Sequence, residues 1–96
     1  MLFIVRIEFA TPEDMTSDRL GELKRAEAAR AAELAREGVL HRLWRDADRW
    51  ANWGLWEAPD EPSLRTHIAT LPLAPYMRVS LHPVVPHPSD PAKGLP

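Results

Sequence analysis

The sequence predicts an α+β domain in which two helices lie on one face of a four-stranded antiparallel sheet. Three observations support this prediction. A chain of 96 residues is too short for two domains, its hydrophobic pattern switches between the strand and helix periods, and its predicted elements follow the order β-α-β-β-α-β. That order is the split βαβ arrangement of ferredoxin-like domains. We assign residues 1–85 to this domain and the proline-rich residues 86–96 to an extended tail.

The first strand and the first helix follow from periodicity and from end signals. Residues 1–10 alternate between two faces, as expected for a half-buried strand. Residues 16–18 then offer hydroxyls and a carboxylate that can cap a helix extending to about residue 37. Gly38 is the expected end of this helix, because glycine is favoured just after a helix C-terminus.

The second half of the chain predicts a hairpin, a helix and a last strand. Residues 39–45 and 50–57 are rich in β-branched and aromatic side chains, and the polar segment between them predicts a hairpin. A second helix with apolar residues at helical spacing follows and continues to Pro72. Residues 77–85 are the candidate for the last strand, and Pro83 within it predicts either an edge position or an early end of the strand, because proline cannot donate to a sheet ladder.

Charge and composition exclude several functional classes. Twelve Lys and Arg against fourteen Asp and Glu leave no basic excess, which argues against nucleic acids and anionic membranes as partners. The chain has no cysteine, so disulfides, iron–sulfur clusters and thiolate zinc sites are excluded. It also lacks both an apolar run of about 20 residues and a signal-peptide pattern. We therefore expect a cytoplasmic protein.

The small size of the chain predicts self-association. A domain of this length buries only about 60–65% of the surface that its unfolded chain exposes, so its own core is thin. Leu2 and Ile4 lie on the face of the first strand opposite Phe3 and Val5. Together with the proline-rich tail they are candidate contacts with other copies of the chain.

Glu27 lies at the centre of the apolar face predicted for the first helix. The residues that share this arc at about 100° per residue are Leu20, Leu23, Ala31 and Leu34. Burial would raise the pKa of the Glu27 carboxyl group towards the range in which it can exchange protons near neutral pH. Lys24 and Arg30 lie one turn away on either side. Glu27 is therefore either a general base or a structural carboxylate held by these two cations.

The third predicted strand brings polar and aromatic side chains together. Alternation places Trp50, Asn52, Gly54 and Trp56 on one face. If that face packs under the first helix, the Asn52 amide and Glu27 share one space walled by the indoles of Trp50 and Trp56. Asn52 is then either a satisfied structural amide or a hydrogen-bonding group for a ligand carbonyl.

The motif content predicts chemistry without a metal or an organic cofactor. The histidines are far apart and lack a ligand spacing; they are His41, His67, His82 and His87. The sequence contains no phosphate-binding glycine loop, nucleophile elbow or dinucleotide fingerprint. We therefore expect neither a metal nor a cofactor at the site.

Several short segments, taken in order, resemble one known family. They are MLFIVR at 1–6, LKRAE at 23–27, EG at 37–38, LWR at 43–45, AN at 51–52, LPL at 71–73, PYM at 75–77 and HPS at 87–89. Each segment is short, but their order and spacing are similar to those of the muconolactone isomerase family over nearly the whole chain. This resemblance implies a ferredoxin-like domain, in agreement with the predicted element order.

The resemblance also implies an activity and an assembly. Members of that family move the ring double bond of muconolactone to give 3-oxoadipate enol-lactone, a step of bacterial catechol degradation in the β-ketoadipate pathway. The residues implied as catalytic are Glu27, the proton-transferring base, and Lys24, with Asn52 as a substrate contact. Arg42 or Lys24 would hold the carboxylate arm of the substrate. The family implies a ring-like homo-oligomer built from dimers, typically a decamer.

The chain departs from the family pattern at several positions. Leu40 stands where a Trp is usual, His41 where an Arg is usual, Trp50 where a Tyr is frequent and Ala74 where a Phe is common. An isomerase or dehydrohalogenase of the same family that acts on another lactone or an enone in a specialised pathway is therefore an alternative. Two other classes also stay open: a non-catalytic binding protein with Glu27 in an ion pair, and a cofactor-independent oxygenase-like barrel with a pocket on the sheet face.

Overall fold

The computed structural model describes residues 1–92 and confirms the predicted order of elements. The strands and helices are β1 (Leu2–Phe9), α1 (Ser17–Arg36), β2 (Leu40–Arg45), β3 (Ala51–Glu57), α2 (Glu61–Ala69) and β4 (Met77–Val84). A short 3₁₀ helix, Ala74–Tyr76, connects α2 to β4. Residues 93–96, the end of the predicted tail, lie outside the described residues.

Both α-helices begin at side-chain caps. The backbone N–H of Arg19 donates to the Thr16 hydroxyl oxygen (3.1 Å) at the start of α1. At the start of α2, the N–H of Ser63 donates to the Asp60 carboxylate (2.8 Å). These bonds satisfy donors that have no partner within the helix. Gly38 follows the end of α1 at φ +80°, a conformation that favours glycine, as predicted.

The sheet is four-stranded and fully antiparallel, in the order β2-β3-β1-β4. β4 is therefore an edge strand, which confirms the position predicted from Pro83. β2 forms the other edge. Its pairing with β3 contains a register shift between Leu40 and Arg42 that leaves His41 as the extra residue of a bulge.

The core lies between the sheet and the two helices. Phe3, Val5 and Ile7 of β1 are buried, and Leu34 of α1 and Leu64 of α2 belong to the same cluster. Burying each such side chain stabilises the fold by about 1.5–3 kcal/mol. This common cluster confirms the α+β architecture with both helices on one face of the sheet.

The described part of the chain contains no helix that is long and apolar enough to cross a membrane. After β4, the described residues of the predicted tail, 86–92, include neither helix nor strand. The His87 imidazole Nδ1 accepts from the N–H of Ser89 (2.9 Å) in a local turn. The division into a domain of residues 1–85 and a tail stays a prediction.

Candidate active site

A cavity of about 600 Å³ lies between α1 and the sheet, close to the β2–β3 hairpin. Its volume falls within the range of about 300–1,000 Å³ that is common for small-molecule sites. The predicted site residues that line it are Lys24, Glu27, Trp50, Asn52 and Trp56. Apolar walls come from β1, α1 and the segment after α2, and include Ile7, Ala31 and Leu73. The structure thus brings together five of the six residues singled out from the sequence.

Glu27 reaches this cavity from the sheet-facing side of α1. Its Oε1 accepts a hydrogen bond from the backbone N–H of Leu73 (2.9 Å). Burial raises the pKa of the Glu27 carboxyl group above the ordinary value, and the Leu73 bond opposes this shift only in part. The carboxylate is therefore oriented by a single backbone bond and holds protons more tightly than an exposed glutamate.

Neither nearby cation forms an ion pair with Glu27 within the described residues. The Arg30 side chain donates to the Thr70 hydroxyl (2.9 Å) and pairs with Glu33 (3.4 Å). The Lys24 ammonium lies over the Trp50 ring, 5.1 Å from its centroid. Among the described residues, neither cation thus makes the ion pair that the structural interpretation of Glu27 expected.

Asn52 and Trp56 bring two unsatisfied polar atoms to this region. The Asn52 Oδ1 and the Trp56 Nε1 are both buried and have no hydrogen-bond partner among the described residues. Buried polar atoms without partners are uncommon in folded proteins, and a binding site is one of the places where they occur. The predicted alternative of a satisfied structural amide therefore does not apply to the Asn52 oxygen.

Gly54 makes room for the buried Trp56 indole. A Cβ atom at this position would lie 2.5 Å from Trp56 Nε1, closer than any normal contact. Trp56 is only 1% exposed, so the indole and the residue at position 54 are packed tightly together. The size of residue 54 therefore controls the position of the indole in the cavity wall.

We expect Gly54→Ala to lower the free energy of unfolding by about 1–3 kcal/mol, the usual cost of overpacking a core. Urea denaturation measures this change. Gly21→Ala is the matched control: Gly21 is in α1, where an added Cβ meets only ordinary contacts, and alanine should stabilise the helix by about 1 kcal/mol. Equal stability of Gly54→Ala and wild type would contradict the steric argument.

Arg42, predicted to hold a substrate carboxylate, does not line the cavity. The β2 bulge reverses the alternation, so that Arg42 pairs with Leu55 on the outer face of the sheet. Its guanidinium lies over the Trp44 ring, 4.8 Å from the centroid. The prediction that Arg42 lies at the substrate site is therefore wrong for the described structure, because Arg42 is on the opposite face of the sheet.

Two cations that sequence reasoning missed, Arg45 and Arg49, line the cavity instead. Arg45 pairs with Asn52 and so shares its face of the sheet, while Arg49 belongs to the hairpin loop. Arg45 faces the cavity because of the β2 bulge, and a single sequence contains no clear pattern that would predict such a bulge. With Lys24, three cationic side chains surround the cavity against the single carboxylate of Glu27.

The described residues contain no group of three His, Cys, Asp or Glu side chains that could hold a metal ion. The cavity lining includes no histidine from the part of the chain that the structure describes. The oxygenase-like alternative calls for a His or Trp on the sheet face as the main polar contact. Trp50 and Trp56 do line the cavity, but it also holds the Glu27 carboxylate and three cationic side chains, which that alternative does not require.

Comparison with known proteins identifies the family. A profile described as "Muconolactone delta-isomerase" matches residues 1–90. The chain belongs to the muconolactone delta-isomerase family. The chain is 37% identical to the muconolactone delta-isomerase of Pseudomonas aeruginosa, with 94% of each chain covered. It is 34% identical to that of Cupriavidus pinatubonensis, covering 94% of this chain and 98% of the relative.

Solved structures agree with this family assignment. A crystal structure of muconolactone isomerase superposes with a TM-score of 0.84 at 36% identity, over 94% of both chains. An antibiotic biosynthesis monooxygenase matches at a TM-score of 0.53 and 19% identity, covering 90% of this chain and 100% of the other. The second likeness shows only the shared ferredoxin-like fold. The protein is therefore an isomerase of the muconolactone delta-isomerase family.

The positions that depart from the family pattern differ in their relation to the cavity. Leu40 is buried and lines it, as does Trp50. His41 is the extra residue of the bulge, and its Nε2 contacts the Glu57 carboxylate (2.8 Å). Ala74 begins the 3₁₀ helix directly after Leu73. Two of the four changes thus alter the cavity wall itself.

Proposed function

We propose that the protein shifts the ring double bond of a butenolide, with muconolactone giving 3-oxoadipate enol-lactone as the preferred reaction. The observation that carries this proposal is the half-buried Glu27 carboxylate with a raised pKa, which borders the cavity without an ion-pair partner among the described residues. A general base works best when its pKa approaches the working pH. A single such base is enough for this isomerisation.

The reaction can be written with one proton carrier. The C–H bond beside the ring oxygen breaks, its proton passes to a Glu27 oxygen, and its electron pair delocalises into a dienolate whose charge lies mainly on the lactone carbonyl oxygen. The same proton then returns to the carbon next to that carbonyl, which leaves the double bond in its new position. No oxidant, reductant or leaving group is needed.

Two further groups would assist this transfer. The Asn52 amide has a buried oxygen with no partner among the described residues, so its side chain can turn its NH₂ towards the developing oxyanion. A well-oriented donor of this kind contributes on the order of 3 kcal/mol. The N–H of Leu73 occupies one Glu27 oxygen, and the other oxygen would take the proton from the substrate.

The cationic side of the cavity fits an anionic substrate arm. Arg45 and Arg49 line the cavity near Asn52, and Lys24 faces it from α1. A guanidinium can bind a carboxylate through two parallel hydrogen bonds. We therefore assign the carboxylate arm of the lactone to Arg45, assisted by Arg49, in place of Arg42.

We expect Arg45→Met to raise KM about 10- to 100-fold, because charged hydrogen bonds contribute about 1.5–3 kcal/mol. Arg42→Met is the matched control on the same strand, and its KM should change less than threefold. Steady-state kinetics with muconolactone measures both values. If Arg42→Met raised KM as much as Arg45→Met, the assignment based on the bulge would be wrong.

The test of the function itself is ultraviolet monitoring of purified protein with muconolactone, followed by a panel of other butenolides and an enone. Rapid turnover of muconolactone supports the proposal, and the absence of turnover removes it. A second candidate is the same chemistry on a different lactone. It is favoured by Leu40 and Trp50, which change the cavity wall, and the substrate panel distinguishes it.

Three expectations from the sequence stay predictions: a cytoplasmic location, a dimer-based decamer, and independence from metals and cofactors. Size-exclusion chromatography with light scattering measures the assembly. Activity after treatment with a chelator tests the independence from metals.

A further inference from the structure

One wall of the cavity is a series of stacked side chains from three elements. The rings of Phe9 and Trp50 stack with centroids 5.1 Å apart and an interplanar angle of 21°. The Lys24 ammonium lies 5.1 Å from the centroid of the same Trp50 ring. All three side chains line the cavity. The series thus joins the end of β1, the hairpin residue directly before β3 and the first half of α1.

The Trp50 ring is held by more than its stack. The N–H of Phe9 donates to the Trp50 carbonyl oxygen (3.0 Å), which fixes the backbone beside the two rings. The Trp50 side chain is still 39% exposed, so one part of the indole surface faces open space at the cavity. A fixed ring with an accessible face attracts a nearby ammonium through its negative π surface.

Lys24 has a competing partner one turn along α1. Residues three apart on a helix are neighbours, so the Lys24 ammonium can also reach the Glu27 carboxylate. Exposed cation–π contacts and helical ion pairs are both weak and similar in strength. Because the two alternatives are nearly balanced, the presence of the Trp50 ring decides where the ammonium lies.

We propose that Trp50 is a positioning residue whose ring holds the Lys24 ammonium away from Glu27, so that the carboxylate has no ion-pair partner on its own helix. This inference rests on the proposed function only in naming Glu27 as the base. The other charged groups at the cavity are Arg45 and Arg49 on the hairpin. Arg30 contacts Thr70, Glu33 and Glu37 instead.

The direct test is the pKa of Glu27, measured by ¹³C NMR on protein with labelled glutamate carboxyl groups. The Glu27 signal is identified by its loss in Glu27→Gln. In Trp50→Leu the released ammonium should pair with Glu27 and raise its acid dissociation constant about two- to threefold, the scale of a weak helical ion pair, since a nearby opposite charge lowers a carboxyl pKa. Trp50→Phe keeps an aromatic face and should leave the constant within about 1.5-fold of wild type.

The same comparison in a Lys24→Met background isolates the role of Lys24. There, adding Trp50→Leu should leave the Glu27 dissociation constant within about 1.3-fold of Lys24→Met alone. An increase that persists in this background would overturn the proposal, and so would an unchanged constant in Trp50→Leu. If Trp50→Leu did not fold, Trp50→Met would replace it with the same expected results.

This experiment is independent of turnover. If Glu27→Gln kept full activity, the proposed base would be wrong while the measured effect of Trp50 on the Glu27 pKa would stand. If Glu27→Gln were inactive and Trp50→Leu left the pKa unchanged, the base would stand and the positioning role would fall.

Discussion

Glu27→Gln should lower kcat for muconolactone by about 10²- to 10⁴-fold, the usual contribution of a positioned general base. The amide is nearly isosteric, and its oxygen can still accept the hydrogen bond that Leu73 donates to Glu27 (2.9 Å). The variant therefore removes the proton acceptor and keeps the geometry. Stopped-flow or steady-state ultraviolet assays measure the loss.

Glu22→Gln is the control for this variant. Glu22 is on the same helix, its side chain is 60% exposed, and its ion pair among the described residues is with Arg19, so the kcat of this variant should stay within twofold of wild type. Near-wild-type kcat in Glu27→Gln would exclude the single-base mechanism. A loss of similar size in both variants would show a general effect on α1 in place of a catalytic one.

The raised pKa of Glu27 also predicts how stability depends on pH. A carboxyl group whose pKa is higher in the folded state than in the unfolded state makes folding less favourable once it ionises. The free energy of unfolding of wild type should thus fall as pH rises from about 4.5 through the folded-state pKa. Glu27→Gln should be more stable than wild type above that window and similar below it, as measured by urea denaturation.

Asn52→Leu should lower kcat by about 10²- to 10³-fold with KM within a few-fold of wild type. An oxyanion donor is needed only as negative charge develops on the lactone carbonyl, so its loss affects the transition state and spares ground-state binding. Because the Asn52 oxygen has no partner among the described residues, the variant should fold with stability equal to or above that of wild type.

Trp53→Phe is the neighbouring control, because Trp53 is on the outer face of β3, where its Nε1 donates to the Asp46 carboxylate (3.3 Å). Its kcat should be close to that of wild type. If Asn52→Leu raised KM and left kcat unchanged, Asn52 would be a ground-state contact and the oxyanion role would be wrong.

The parts of the site that the sequence predicted depend on regular periodicity. Glu27 follows from the 3.6-residue period of a long helix, and Asn52 and Trp56 follow from the two-residue period of β3. Both periods persist without interruption in the structure. The predicted grouping of these three side chains beside one space was therefore correct.

The failure at Arg42 has a specific cause. Simple alternation from the buried Leu40 turns Arg42 inwards, but one extra residue at His41 turns it outwards and brings Arg45 to the cavity. The proposed competition between Trp50 and Glu27 for the Lys24 ammonium could not be predicted from the sequence either. It depends on distances between three elements, and sequence spacing gives only the helical part of it.

The β2 bulge has a further consequence for how such a site can change. β2 is bonded to the sheet on one side only, so its register can shift without moving another strand. A deletion or insertion of one residue after the buried Leu40 would exchange the side chains that face the cavity while the core residues of β1 and the helices kept their places. The preference of the site for charged ligands can therefore vary through the alignment of β2, with no substitution in β1, β3 or α1.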